Sequence, residues 1–402
     1  MNIFVICIIL CSEIKGNGVS VMKNSKKTAV MYGAGRVGRG FIGQVFFDSG
    51  FEVVFVDVNK DIVAALNKRN SYTQLIVDGD AVERREISGV FAMDGHDRDA
   101  VARVISGCDI MAVAVGAAFL PSTAPFLASG LSLRERPLNI LVCENLVNAP
   151  GVLRGLLSEF ISDSSKLDKV GFVGTTIGRM VPVVPPEQCA GDPTLIAVEP
   201  FCTLPLDGDA VVQPMPELMY TVLCNPFAFE EGKKLYIHNM GHALAAYFGF
   251  LQGYSCVWQA VKDEFIRDRV QKAMSATAEA LAKKYGECRA GLSVYADDLL
   301  HRFGNSGLGD SIARVGGDPL RKLAPGDRLM GAVDLCIEQG VDYSSILSGV
   351  AAALRFDAAN DPSAGRMHER LAESGISTFL RDYCGFSEAD AMSVMAARTK
   401  YM

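Results

Sequence analysis

Several things that would point to a specialised function are missing from this sequence. There is no basic excess: 39 lysines and arginines against 46 aspartates and glutamates, interspersed, leave a net charge of −7. A nucleic-acid surface needs a basic stripe or patch, so that partner is excluded. The apolar run Ile3 to Cys11 is nine residues long, whereas a bilayer span takes roughly 20, so no membrane partner is expected. No CxxC pair occurs among the eleven cysteines, which are odd in number and scattered through apolar segments. That pattern suits buried free thiols in a reducing compartment. Internal repeats, low-complexity tracts, Gly/Ser linkers and clustered His/Cys/Asp spacings are lacking as well, and the last of these predicts no metal. What remains is a globular chain with a small-molecule ligand.

What is present is material for proper cores. Of the 402 residues 49% are apolar and 21% charged, and this length suggests two or three compact units, with two as the working number. The stretch KTAVMY (Lys27 to Tyr32) is a short apolar run ending at a glycine, which reads as a buried parallel strand. GAGRVGRG and the helix-compatible FIGQVFFDSG follow, then FEVVFVDVN from Phe51 to Asn59. Strand, glycine turn, helix and strand in succession make a βαβ unit. Further strands are expected at 109–115, 139–143 and 170–173. Such alternation implies an α/β fold with a doubly wound, mostly parallel sheet covered on both faces.

Beyond about Thr194 the pattern changes. TLIAVEPF and AVVQPM read as last strands, and helical periodicity dominates the rest. Trp258, Val261, Phe265, Ile266, Val270, Met274 and Leu281 mark one face of a long helix that stops at Gly286. Asp318-Pro319 has the composition of an N-cap with proline at N1, and Pro325-Gly326-Asp327 starts another helix ending near Gly340. The expected organisation is residues 1–24 as an extension, 25–195 as a nucleotide-binding domain and 196–402 as a mostly helical substrate domain. With no linker between them, the active site is expected in the cleft where they pack.

Gly33, Gly35 and Gly38 form G-x-G-x-x-G between a strand and a helix. The glycines serve a tight turn, close approach of backbone to a pyrophosphate and packing of helix on strand. The helix N-terminus offers free N–H donors to the phosphates. Asp57, 19 residues after Gly38 at the end of the next strand, can accept from ribose hydroxyls and would repel a 2′-phosphate. NAD is therefore expected rather than NADP. Ala34, Arg36 and Val37 within the turn, and Val115, Gly116 and Glu144 further on, are assigned to the cofactor too. A cofactor kept inside cells makes an export signal the last-ranked reading of residues 1–24, which also lack a basic n-region. An early start ahead of Met22 ranks first and a loosely docked or disordered tail second, and the expected location is the cytoplasm.

A second constellation lies in KLYIHNMGH, where Lys234, Asn239 and His242 are spaced five and three apart. Asn239 and His242 can share one helix face. Lys234 is about 140° round from Asn239 on a regular helix, so it converges only if the helix begins near it or the chain bends. A lysine with depressed proton affinity can take a hydroxyl proton, and amide and imidazole groups can hold the developing alkoxide. On spacing alone the blander reading, a surface lysine and a satisfied helix histidine, carries more weight.

GAGRVGRGFIG, the DVN after the second strand, LVCEN, VGFVGTTIGRMVP, KLYIHNMGHA and RVGGDPLRKLAPGDRL together resemble the polyol-specific long-chain dehydrogenases, in the same order over roughly residues 28 to 395. The resemblance implies a Rossmann-type domain followed by a mostly α-helical C-terminal domain, zinc-independent chemistry and reversible oxidation of D-mannitol 1-phosphate to fructose 6-phosphate. A hexuronate or free hexitol is the alternative substrate, and a non-catalytic NADH-binding protein the more distant one. It also implies Lys234 as general base, with Asn239, His242 and Asn145 around the reacting oxygen, and an acid before the lysine, for which Glu231 is a nearer match than Glu230. His238 is read as a neighbour. For a substrate phosphate the candidates are Arg179, Arg314, Arg321, Lys322 and Arg328, weighed against capping and salt-bridge roles. Relatives usually read D-R-[I/M]-x-P where this chain has Gly178-Arg179-Met180-Val181-Pro182, so an acid that can contact polyol hydroxyls is absent. The partner is thus a sugar phosphate or polyol, and the assembly a monomer or homodimer.

Overall fold

In the computed structural model of the chain, residues 27–184, 189 and 191–399 are described. The expected extension at 1–24 lies outside them. KTAVMY forms strand β1 (Thr28–Tyr32), and FEVVFVDVN forms β2 (Glu52–Asp57). A hairpin that periodicity did not reveal comes next, β3 (Ser71–Asp78) and β4 (Ala81–Ser88), followed by β5 (Val90–Asp94). The remaining expected strands are β6 (Ile110–Val113), β7 (Leu138–Val142) and β8 (Val170–Gly174).

Six of these form one sheet in the order β5-β2-β1-β6-β7-β8, with every neighbouring pair parallel. Counted within the sheet this is the order 3-2-1-4-5-6, the doubly wound arrangement whose strand order reverses beside β1. Successive side chains on a strand point to opposite faces. Ala29 and Met31 of β1 accordingly join one apolar layer with Phe55 and Ala112, whereas Val30 and Tyr32 join the other with Met111 and Ile140. Both faces are buried, which is why these strands read as continuous apolar runs.

TLIAVEPF contains β9 (Ile196–Val198), which runs parallel to β3 in a separate three-stranded sheet. The expectation of a strand in AVVQPM is overturned: residues 210–215 are a loop. Asn139 explains how it is held, because its side-chain amide donates to Val212 O at 2.7 Å and accepts from Val212 N at 2.9 Å, as a neighbouring strand would. The true pair is β10 (Leu204–Asp207) with β11 (Thr221–Cys224).

From Phe227 onward the chain is helical around a core of its own. The long helix expected from Trp258 is two helices, Val257–Lys262 and Glu264–Tyr285. Asp263 breaks them by accepting from the backbone N–H groups of Phe265 and Ile266, an N-cap that satisfies two otherwise orphaned donors. Gly286 closes the second helix in the left-handed region, and Gly340 closes the helix Met330–Gln339 in the same way. Pro319 does begin a short helix, but Asp318 does not cap it; its carboxylate accepts from Arg321 Nε instead. Among the described residues no helix is long and apolar enough to cross a membrane.

Candidate active site

The glycine turn sits at the point where the strand order reverses, against the end of β6. Gly33 has φ +103°, and a Cβ there would lie 2.2 Å from Ala114 O. A Cβ on Gly38 would lie 2.0 Å from Gly33 O. Both positions need glycine to fold. Gly35 differs: nothing lies within 4 Å of where its Cβ would be, and the residue is exposed. A glycine with no steric reason inside the protein is what close approach of a pyrophosphate requires, so the turn fits a dinucleotide.

Asp57 ends β2 beside this turn, with Oδ2 accepting from Ala34 N at 2.6 Å and Oδ1 from Asn59 N at 2.9 Å. Each carboxylate oxygen keeps a further lone pair for a ribose hydroxyl. Glu144 accepts from Val115 N at 2.7 Å and Gly116 N at 3.1 Å, bracing the turn after β6. Burial raises its carboxyl, with the two backbone bonds opposing. Arg36 is exposed at the start of the helix and Val37 half-buried. All ten expected cofactor residues therefore fall on one end of the sheet. Arg39, which the sequence did not single out, is buried and donates from Nε to Ala34 O at 2.6 Å, tying the turn together.

The second site lies on one continuous helical stretch. The helix Phe227–Gly232 runs into a π-helical segment, Lys233–Asn239, and resumes as the helix Met240–Leu251. In the wider segment Met240 N–H reaches Leu235 O, five residues back. Residues five apart then lie nearer one face than they do on a regular helix, which reduces the misfit between Lys234 and Asn239. Lys233 points elsewhere, pairing with Glu230 at 2.8 Å and lying over the Tyr295 ring. That pairing occupies Glu230. Glu231 has its carboxyl raised by desolvation and then by Asp207.

Desolvation drives the Lys234 amine down to about 7, helped by the charges of Arg302 and Arg328 and opposed by Glu199. The last three were not all visible as a set. Glu199 and Arg302 form a bidentate pair, Nη2 to Oε1 at 2.6 Å and Nε to Oε2 at 2.8 Å, with side chains 1% and 7% exposed. Arg302 also donates to Gly178 O at 2.6 Å and lies over Phe201, 3.9 Å from the ring centroid. The only hints in the sequence are a lone acid in the apolar run TLIAVEPF and a lone arginine in LLHRF. Buried charges need partners, but nothing local says which.

His242 stacks on Phe303, with centroids 4.7 Å apart and planes at 12°, and its Nε2 lies 3.2 Å from Asp310 Oδ2. His238, one turn earlier, is buried and meets the same Phe303 edge-on. Burial, then Lys234 and Arg302, push its imidazole well below the usual histidine range. Three side-chain atoms here, His238 Nδ1, His242 Nε2 and Arg302 Nη1, are buried without a hydrogen-bond partner, and Tyr247 OH on the same helix is a fourth. Buried polar atoms are normally satisfied; His242 Nε2 and Arg302 Nη1 have the carboxylates of Asp310 and Asp298 at 3.2 and 3.6 Å, which leaves His238 Nδ1 and Tyr247 OH. Asn239 closes the π-helical segment, and Asn145 lies on the exposed loop after β7.

The expected phosphate candidates separate. Arg179 is corrected to a brace: it is 4% exposed, its Nε donates to Glu199 O, and its Nη1 donates to Gly40 O and Gln44 Oε1. It fixes the first helix of the nucleotide domain to the chain leaving β9. Arg321 is half-exposed and paired with Asp318 and Asp327, and Arg314 is bonded to Asp310. Lys322 is buried, and its amine is lowered to about 7 by burial first and by Arg328 and Arg321 next. Among the described residues no group of three or more His, Cys, Asp or Glu could hold a metal ion.

Two family models match the chain, the mannitol dehydrogenase Rossmann domain over residues 27–220 and the mannitol dehydrogenase C-terminal domain over residues 227–379. Mannitol-1-phosphate 5-dehydrogenase of Geobacillus thermodenitrificans is 34% identical over 382 residues, spanning 93% of this chain and 98% of that one. In fold the chain is similar to a D-sorbitol dehydrogenase solved in substrate-free form, with TM-score 0.77 and 17% identity, covering 93% of each chain. It is also similar to Pseudomonas fluorescens mannitol 2-dehydrogenase, solved with NAD and D-mannitol, with TM-score 0.72 and 17% identity over 94% of this chain and 91% of that one. The order of the parallel sheet, the helical second half and the family matches agree, and this chain belongs to the mannitol dehydrogenase family of oxidoreductases.

Proposed function

We propose that the chain is an NAD-dependent polyol dehydrogenase that interconverts D-mannitol 1-phosphate and fructose 6-phosphate, with Lys234 as general base. The observation that carries this reading is the π-helical turn that brings Lys234 nearer the face of Asn239, with the buried His238 Nδ1 close by lacking a hydrogen-bond partner in the protein. Gly33, Gly35, Gly38 and Asp57 would hold the dinucleotide, with Val115, Gly116 and Glu144 at the neighbouring strand ends. NAD, when bound, supplies the hydride acceptor.

Lys234 takes the hydroxyl proton on oxidation and returns it on reduction, and a lysine titrating near 7 is suited to both. Asn239, His242 and Asn145 are the groups to orient the reacting oxygen and stabilise its charge. Lys322 and Arg328, the second also paired with Asp327 at 2.8 Å, are the groups that would meet the charge of an anionic substrate. A phosphate and a uronate carboxylate both carry such a charge; the similarity to a mannitol-1-phosphate 5-dehydrogenase supports the phosphate. The buried cysteines Cys108, Cys143, Cys336 and Cys384 are free thiols, in keeping with action in the cytoplasm.

The test is to follow NADH oxidation with fructose 6-phosphate, fructose, fructuronate and tagaturonate in parallel. Turnover confined to fructose 6-phosphate is expected. Turnover only with an unphosphorylated ketose or a uronate would overturn the substrate, and normal NADH binding without turnover on any of the four would leave a binding protein.

A further inference from the structure

We propose that Asp310 is a positioning residue for His242: clamped by Arg314, its carboxylate holds the imidazole so that Nε2 carries the hydrogen and Nδ1 is the nitrogen presented to substrate. This rests on the reading of His242 as a substrate ligand and assigns a task to a residue outside the lysine, asparagine and histidine set.

The geometry points one way. Asp310 is 8% exposed, and its two oxygens are divided, Oδ1 accepting from Arg314 Nη2 and Oδ2 lying 3.2 Å from His242 Nε2. Its backbone is anchored separately, since Asp310 O accepts from Val257 N at 2.9 Å and Ser311 bridges to Cys256. Burial alone would raise this carboxyl, but His242 and Arg314 outweigh burial and hold it below the ordinary aspartate range. The imidazole is confined as well, stacked on Phe303 from the helix that also carries Arg302.

A neutral imidazole has one donor nitrogen and one acceptor nitrogen, and the hydrogen bond made by one decides the role of the other. Carboxylate oxygen only accepts, so Nε2 is the nitrogen that must donate. Nε2 approaches Oδ2 closely without yet making an aligned bond. Catalytic hydrogen bonds often tighten only when substrate is bound. With Nε2 sealed from solvent and the His242 side chain still 17% exposed, Nδ1 is the nitrogen left for a ligand.

The experiment is a double-mutant cycle on the full-length enzyme, read as kcat/KM with the ketose that turns over, together with NADH binding. Asp310→Asn is expected to lower kcat/KM by about 10- to 100-fold, the usual loss when the partner of a functional imidazole is removed, with NADH affinity unchanged. In a His242→Ala background the same change should matter by no more than about twofold, because the residue it acts through is gone. An equal loss in both backgrounds would mean that Asp310 only supports the fold, and would overturn the proposal alone. A His242→Ala variant with undiminished kcat/KM would overturn this proposal and the role given to His242 above. Independently of any variant, 15N-histidine NMR of the wild-type protein with NADH should show neutral His242 protonated at Nε2; protonation at Nδ1 overturns the proposal.

Discussion

Among the described residues there are two π-helical segments, Gly38–Ile42 after the cofactor turn and Lys233–Asn239 in the helical half, and they use the same widening to different ends. In the first, the protein answers the polar groups itself: Arg39 O accepts from Tyr72 OH at 2.8 Å and Gln74 Nε2 at 2.7 Å. In the second, the widening rotates Lys234 toward Asn239, His238 Nδ1 stays without a partner, and His242 Nε2 stands 3.2 Å from Asp310 Oδ2 without an aligned bond. Near the first, one side-chain atom, Gln74 Oε1, is left over in the same way. The helical half thus keeps more hydrogen-bonding capacity unspent, which costs stability and is consistent with a site completed by its substrate.

The comparison breaks most sharply at the lysine. Lys234→Ala should lower kcat by about 10²- to 10⁴-fold, the range for losing a general base, while leaving NADH binding intact in a fluorescence titration. With Lys234 as the proposed base, polyol oxidation in the parent enzyme would require the neutral amine. Its kcat should therefore rise as pH passes upward through about 7, and the rate of ketose reduction should fall over the same interval. That limb should vanish in Lys234→Ala.

Smaller in rate but large in stability is Arg302→Leu. It strands Glu199 without its charge partner, and breaking a buried pair from one side costs about 3–5 kcal/mol, to be read from urea unfolding midpoints. At the nucleotide end, Gly35→Val should leave the melting temperature within a few degrees, because the space around that Cβ is open, yet weaken NADH binding at least about tenfold. Gly38→Val, whose Cβ would collide with Gly33 O, should fail to fold and so separates the two uses of glycine in one turn.

How much of this was legible follows from the range of the forces involved. Five of the six strands of the large sheet were readable because burial on both faces writes an unbroken apolar run, the edge strand β5 being half-exposed and missed, and the glycine turn because steric demands act between neighbours. The β3–β4 hairpin was not, since β4 is mostly solvent-facing and carries charges at 83–86. AVVQPM misled because its backbone is satisfied by Asn139 from another element. Arg179 has the chemistry of a phosphate ligand and is spent on carbonyls of the nucleotide domain.

By itself the sequence determined the parallel α/β half ahead of a helical half, the glycine turn with Asp57 beside it, and the family through its ordered motifs. These depend on periodicity, sterics and spacing within about 30 residues, the span of a βαβ unit. Only the tertiary structure decided that Lys234 and Asn239 lie on a π-helical turn, that Glu199 answers Arg302 across 103 residues, and that Asp310 stands against His242. The reason is that a buried charge or an orphaned nitrogen is compensated by whatever the fold brings beside it, and chain order carries no record of that neighbour.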